Sequence, residues 1–498
     1  MMSVTIKSMQ VEKTNEEEVD WESIIASYKK EGVHLFVEEG KLKFQAKEVS
    51  LTIQKQQFLR DNKSAIITYL LHKEDYLPER YRAFNMTPIQ KAYLIGRQRG
   101  YELGNVNAHY YTEFEKEHLD ENKFEWALNR LIRIHDMLKT VMFADGTQQV
   151  MREVPHLKVA VHNNISIKQQ TAIREQLKEK EYSLGQWPMF SFEISRVNEK
   201  RDCIHLSVDC MLLDAYSLQS MVNDIFKLYN GQSVSTPQYT FKEYVESQEQ
   251  WVEAKGLKEK SRQYWSRQIT NIPKAPMIPY QVNSLSEIEK PVFQRKCYRF
   301  TEDESKRFIQ KTKENLVTGN SAIAYCLMDT LAKCCDQTEL TLNLTMYNRY
   351  PLHVEAEDIY GDFTNTSILP FFKKRESILK GIQRVQESMV KAIEFSGYNG
   401  IELLREINRD AIGKAIMPVV LTSMLQDINM TDFRETYAVS ATPQVVLDAQ
   451  AYYREKKMVL GFDYVEDAID NEWLESFFIE YVAKVQTLLY METWDCQL

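Results

Sequence analysis

Ile204-His205-Leu206-Ser207-Val208-Asp209-Cys210-Met211-Leu212-Leu213-Asp214-Ala215-Tyr216-Ser217-Leu218 changes its period half-way along. Residues 204–208 alternate apolar and polar, the mark of a half-buried strand. From Leu218 onward, Leu218, Met221, Val222, Ile225 and Phe226 recur at helical spacing. Asp214 stands where that helix needs an N-cap. The stretch predicts a strand, a short apolar loop flanked by two carboxylates, and a helix. Loops held between rigid elements are favoured places for chemistry. Taken alone, D-x-x-x-x-D also has a plainer reading, with Asp214 only a cap and Asp209 only a solvated loop acid.

The bulk numbers narrow the classes. The 498 residues suffice for two or three domains with proper cores, and 44% hydrophobic with 27% charged residues is the balance of a globular protein. The net charge is −9 and no lysine or arginine block marks a nucleic-acid or anionic-membrane surface. No apolar run approaches a membrane span, and the first residues lack the layout of a signal peptide, so a cytoplasmic protein is expected. Seven cysteines without a C-x-x-C point to reduced thiols. Nine histidines without ligand spacing predict no metal site. Without a Walker loop or G-x-G-x-x-G, no nucleotide chemistry and no bound cofactor are expected.

Along the chain, residues 1–19 are polar and acidic and read as disordered. Over 20–73, Trp21–Lys30 reads as a helix ended by Gly32, Val33–Val37 and Lys41–Phe44 as a hairpin about Glu38-Glu39-Gly40, and 52–60 and 62–72 as two short helices. A hairpin has edges to which an extended peptide can add, and Lys41, Lys43 and Phe44 lie on the second strand. Residues 74–80 read as a linker. Beyond it, 150–161 and 202–208 read as strands and 123–135 and 169–181 as helices, with a polar helical bridge near 240–275. The expected division is a lobe over 81–255, then the bridge and a second lobe over 256–498.

The loop has the form D-x-x-x-x-D-x-x-S, and seven other segments accompany it in order: Phe84–Arg97, Leu103–Phe114, Ala275–Pro279, Asn348–His353, Gly361–Thr364, Pro418–Ser423 and Thr442–Asp448. Together they resemble the heterocyclization domains of nonribosomal peptide synthetases, relatives of condensation domains that carry H-H-x-x-x-D-G at this loop. The αββαα unit at the N-terminus resembles the docking domains first described for tubulysin assembly. The resemblance implies an α/β (α+β) fold of two chloramphenicol-acetyltransferase-like lobes in a V, preceded by the docking domain. Ala441, Ala449 and Gly319 depart from the family pattern and raise the prospect of altered substrate choice or a weakened cyclizing step.

The implied reaction joins a carrier-bound acyl or peptidyl thioester to carrier-bound cysteine, serine or threonine, then cyclodehydrates the amide to a thiazoline or oxazoline. The resemblance assigns proton transfer to Asp448, with Thr422 beside it and Asn348 and Ser423 in the cyclizing step. It places Gln444 and Thr364 at the substrate channel and gives Asp209, Asp214 and Ser217 to the motif loop. It also pairs Asp214 with Arg349 in a structural salt bridge. Asp362 reads equally as a strand-end turn acid, and Cys210 as inert packing. Substrates are expected on the phosphopantetheine of upstream and downstream peptidyl carrier proteins on other chains, because no Gly-Gly-x-Ser site occurs here. The C-terminal tail of an upstream synthetase subunit is the expected partner of the docking domain. Two alternatives stand beside this reading: a domain that forms the amide alone, and a non-catalytic platform that recruits carriers.

Overall fold

A computed structural model describes residues 20–38, 41–46, 51–72, 78–198, 201–409, 413–414, 417–425 and 433–496. The stretch expected to be disordered, 1–19, the hairpin turn at Glu39-Gly40 and residues 74–77 of the expected linker lie outside the described residues. The chain divides into two compact units, Met1–Arg82 and Ala83–Leu498.

The first unit is α1 (Trp21–Lys30), β1 (Val33–Glu38), β2 (Lys41–Ala46), α2 (Ile53–Asp61) and α3 (Lys63–His72). The Asp20 carboxylate caps α1 by accepting the Ser23 N–H at 3.1 Å, and Gly32 follows the helix at φ +81°. The strands pair antiparallel with Leu35 opposite Phe44, and no third strand joins them among the described residues. Ile25, Tyr28, Val33, Leu35, Leu59, Ile66 and Leu70 close a small core. Lys41 and Lys43 are exposed on β2, and Phe44 leaves 51% of its surface in water.

The second unit opens with β3 (Phe84–Asn85), α4 (Pro88–Gly96), β4 (His109–Lys116), α5 (Glu121–Ile134), β5 (Thr140–Met142), β6 (Thr147–Val150), β7 (Ala160–His162) and α6 (Ile167–Lys178). Next come β8 (Phe190–Asn198), β9 (Arg201–Asp209), α7 (Ala215–Tyr229), α8 (Phe241–Ala254), α9 (Leu257–Gln268), β10 (Phe293–Arg299), α10 (Glu302–Glu314) and α11 (Gly319–Cys334). The rest is β11 (Glu339–Tyr347), β12 (Thr364–Phe372), α12 (Ile378–Glu394), α13 (Gly400–Ile407), β13 (Val419–Met424), β14 (Arg434–Ala441), β15 (Leu447–Arg454), β16 (Lys457–Val465) and α14 (Asn471–Tyr490). The fold is mixed α/β. A five-stranded sheet runs β14-β4-β9-β8-β7, and a six-stranded sheet runs β10-β16-β15-β13-β11-β12.

Two sequence expectations need correction. Residues 151–159, expected inside one strand, are irregular between β6 and β7; Pro155 has no N–H to give a ladder there. And a boundary at 255 does not separate the sheets. β14, far along in sequence, pairs antiparallel with β4 and becomes an edge of the first sheet. Tyr437, Val439 and Ala441 pack toward the large core that also holds Tyr111 and the six-stranded sheet. Backbone hydrogen bonds thus tie this late segment of the chain to the first sheet.

Gly361, just before β12, is pressed against the Phe241 ring of α8, and a Cβ there would overlap the ring carbons. Gly361→Ala is expected to cost about 1–3 kcal/mol by overpacking, read as a lowered Tm. An unchanged Tm would show that the α8 contact yields freely.

Candidate active site

The second unit holds a cavity of about 650 Å³ whose floor is one face of the six-stranded sheet. Side chains alternate across a sheet, so register decides which residues share that face. Parallel pairing sets Thr345 beside Thr422 and Thr422 beside Gln450, and the antiparallel partner of Thr345 is Thr366. A polar row Thr366-Thr345-Thr422-Gln450 therefore crosses four strands. The next row on the same face is Asn343-Val420-Asp448-Asp463. A row of hydroxyls and amides on a strand face flanked by buried aliphatics is costly unless something uses it.

Asp448 is the acid of this floor. It is 7% exposed, its Oδ2 accepts the Gln450 amide N–H at 2.9 Å, and its Oδ1 has no hydrogen-bond partner among the described residues. Burial and the neighbouring Asp463 carboxylate push its pKa up to about 6, against the downward pull of Gln450, Thr422 and Arg295. Thr422 donates its own proton to Thr345 Oγ1 at 3.1 Å. Gln450 is fixed in turn. Its amide N–H groups also reach Ser440 Oγ at 3.0 Å and Asp463 Oδ2 at 2.9 Å, and its carbonyl accepts Arg295 Nη2 at 2.6 Å. Arg295 and Asp463 form an ion pair, its carboxylate fully buried, that sequence reading missed, because it joins β10 to β16 across 168 positions.

A second wall is the loop between β9 and α7. Asp209 is no solvated acid: it is fully buried, ion-paired with Arg97, and accepts the Met211 N–H at 3.0 Å. Asp214 caps α7 through the Ser217 N–H at 2.7 Å, and its own N–H reaches the Gly361 carbonyl at 3.0 Å. Ser217 Oγ donates to the same carbonyl at 2.8 Å and accepts from Arg349 Nη2 at 2.8 Å. Arg349 Nη2 lies 3.6 Å from Asp214 Oδ1. The guanidinium also serves the carbonyls of Ala356 and Ile359 at 3.1 and 3.0 Å and stands 3.9 Å from the Phe363 ring centre. Asp214, Ser217 and Arg349 thus fasten the loop to the segment before β12.

That segment carries Asp362, which reaches the cavity as a buried acid. Asp362 is 1% exposed, its Oδ1 accepts the Thr364 N–H at 3.1 Å, and its Oδ2 has no partner among the described residues. Burial first, and the Asp214 carboxylate second, push its pKa up to about 8. A carboxyl whose proton is held more tightly folded than unfolded loses stability as pH rises toward that value. Asp362→Asn is therefore expected to raise Tm relative to wild type by more at pH 9 than at pH 5. Parallel melting curves across this range would contradict the assignment.

Gln444 and Thr364 line the cavity. Gln444 sits at φ +61°, held by its N–H on the Leu103 carbonyl at 2.9 Å, and Pro443 occupies the space a Cβ on Gly96 would need. Two expected site residues are elsewhere. Asn348 follows the end of β11, where its Nδ2 donates to Tyr350 Oη at 3.1 Å and reaches Ser396 Oγ at 3.4 Å. Ser423 falls on the opposite face of β13 from Thr422 and donates to Asn320 Oδ1 at 2.9 Å. The cavity's amide on this side is Asn343, whose Oδ1 is buried without a partner among the described residues. Cys210 lines the cavity, but burial holds its thiol far up, as expected of packing rather than a nucleophile. Glu113, Cys203 and His205 lie close enough to share a metal ion, yet both Glu113 oxygens are taken by Arg174 at 2.7 and 2.6 Å. No helix among the described residues is long and apolar enough to cross a membrane.

Comparison with known proteins adds the following. The family model of the condensation domain matches residues 82–491, and that of the TubC N-terminal docking domain matches residues 22–71. Bacitracin synthase 1 of Bacillus licheniformis is 27% identical over 429 residues, which are 82% of this chain and 8% of that protein. Phenyloxazoline synthase MbtB of Mycobacterium sp. (strain MCS) is 26% identical over 423 residues, 83% of this chain and 36% of that protein. The chain thus spans 36% or less of the length of these two relatives. The crystal structure of the EpoB NRPS cyclization-docking bidomain from Sorangium cellulosum matches with a TM-score of 0.76 at 25% identity, covering 95% of this chain and 99% of that one.

Proposed function

The chain belongs to the condensation domain family, with a TubC-type docking domain ahead of it, and from that premise we propose that it is a heterocyclization domain of nonribosomal peptide synthesis. It joins a carrier-bound acyl thioester to a carrier-bound cysteine, serine or threonine. It then closes the new amide to a thiazoline or oxazoline with loss of water. The observation that carries the reading is Asp448: a buried carboxyl on the polar floor of the cavity, with one oxygen fixed by Gln450 and the other without a partner among the described residues.

In the cyclizing step the side-chain thiol or hydroxyl adds to the amide carbonyl carbon, leaving a tetrahedral carbon that bears a hydroxyl. Protonated Asp448 gives its proton to that hydroxyl, which departs as water as the nitrogen lone pair forms the C=N bond. The carboxylate then takes the nitrogen's proton and is restored. A pKa of about 6 keeps both forms populated near neutrality, as such an alternating role requires. Thr422 and Thr345 stand beside it to hold the oxygen in place.

Both substrates come on phosphopantetheine arms of peptidyl carriers, within the cytoplasm where such synthetases work. The hairpin of the docking domain, with Lys41, Lys43 and Phe44 on its second strand, receives the C-terminal tail of an upstream subunit by strand addition. The names of MbtB, a phenyloxazoline synthase, and of the EpoB cyclization-docking bidomain support both parts of this reading. The test is mass spectrometry of a cysteine-loaded acceptor carrier mixed with an acyl-loaded donor carrier. A product one water lighter than the open amide is expected. Accumulation of open amide alone would end the heterocyclization reading.

A further inference from the structure

We propose that Asp362 is a second catalytic acid of this cavity, whose neutral carboxyl donates a hydrogen bond to the thioester carbonyl oxygen while the amide forms. The inference rests on the function proposed above and adds a residue to its first step. Asp362 is held rigidly from both sides. The carbonyl of Gly361 before it takes the Asp214 N–H at 3.0 Å and the Ser217 hydroxyl at 2.8 Å, and Thr364 after it donates to its Oδ1 at 3.1 Å. Its Oδ2 is buried without a partner among the described residues, and the residue lines the cavity.

Among the described residues, the groups that face it carry no compensating cation: Asp214 and Cys210 come from the motif loop, Tyr93 from α4 and Tyr347 from β11. The nearby Arg349 spends its donors on Ser217 and on backbone carbonyls. With its pKa pushed up to about 8, Asp362 is neutral at pH 7 and has one O–H to give. A buried donor with no acceptor among the described residues is costly, so the acceptor is expected on the substrate. Asp448 lies on the sheet floor and Asp362 on the loop wall, so the two acids address different oxygens.

In the step assigned here the amine lone pair attacks the thioester carbon, and the carbonyl π pair moves onto the oxygen that Asp362 hydrogen-bonds. Collapse restores the carbonyl and breaks the C–S bond. The thiolate leaves and takes the proton lost by the amine, giving amide and free thiol.

Single-turnover amide formation, read by mass spectrometry of intact carriers, tests the proposal on the full chain from pH 6 to 9. Wild type is expected to lose rate as pH rises through about 8. Asp362→Asn keeps an N–H donor that does not titrate, so it is expected within about fivefold of wild type at pH 7 and without that fall. Asp362→Ala is expected to lose about 10²-fold or more. Equal rates for the two variants, or the same pH profile in wild type and Asp362→Asn, would overturn it. So would an Asp362→Ala protein that also closes the ring of a pre-formed open amide, supplied on the acceptor carrier, about 10²-fold more slowly, which marks a folding defect. A wild type that forms amide but no ring sinks the heterocyclization reading and leaves this one standing.

Discussion

Asp448→Asn is expected to form the open amide at close to the wild-type rate and to close the ring at least about 10²-fold more slowly. The substitution conserves volume, so the packing of β15 between β13 and β16 is kept, and Gln450 can still hydrogen-bond the remaining carbonyl oxygen. What disappears is the exchangeable proton. An amide can neither protonate a departing hydroxyl nor accept the nitrogen's proton. The measurement is the ratio of open to cyclized product on the acceptor carrier over time. Because the acid's pKa is about 6, the residual slow closure in the variant should also lose any inflection near that pH. Equal loss of both products would show instead that Asp448 matters to binding or folding. Thr422→Val should give a smaller version of the same split, since it removes the hydroxyl that steadies the acid's surroundings and leaves the acid in place.

How far the sequence reads into this site depends on the range of the interaction. The β9–loop–α7 segment is legible because its signals are local: a change of period, and an acid three residues before the N–H it caps. The αββαα order of the docking unit is legible for the same reason. Strand parity is also local, and it separates Thr422 from Ser423: two consecutive residues of β13 face opposite sides of the sheet, so both could not meet Asp448. Asn348 lies past the last residue of β11, whereas Asn343 has the parity of Thr345 and reaches the floor. Other features have no local signal. The pairing of β14 with β4 joins residues more than 300 positions apart. The unusual state of Asp362 depends on who is absent from its surroundings as much as on who is present, and only the closed cavity reveals that.

Arg349→Met is the second large effect: a loss of about 3–5 kcal/mol of stability, with amide formation and ring closure falling together. The guanidinium is nearly all buried, with Asp214 as its ionic partner and Ser217, Ala356 and Ile359 as hydrogen-bond acceptors. Removing it leaves the Asp214 carboxylate buried without its ionic partner. Arg349→Lys should recover little. A lysine supplies the charge, but not the planar group that stacks on Phe363 and Tyr216 while reaching several acceptors at once. Adding Asp214→Asn to Arg349→Met should return part of the stability, because the stranded charge is gone and the asparagine oxygen can still cap α7. That partial return, read by chemical denaturation, separates a structural role from a catalytic one: it restores fold, and with it both chemical steps, in parallel. If Arg349→Met instead left Tm unchanged and halted one step alone, the arginine would belong among the groups that touch substrate, and the motif loop would be a reacting surface rather than the clasp that holds the two walls of the cavity together.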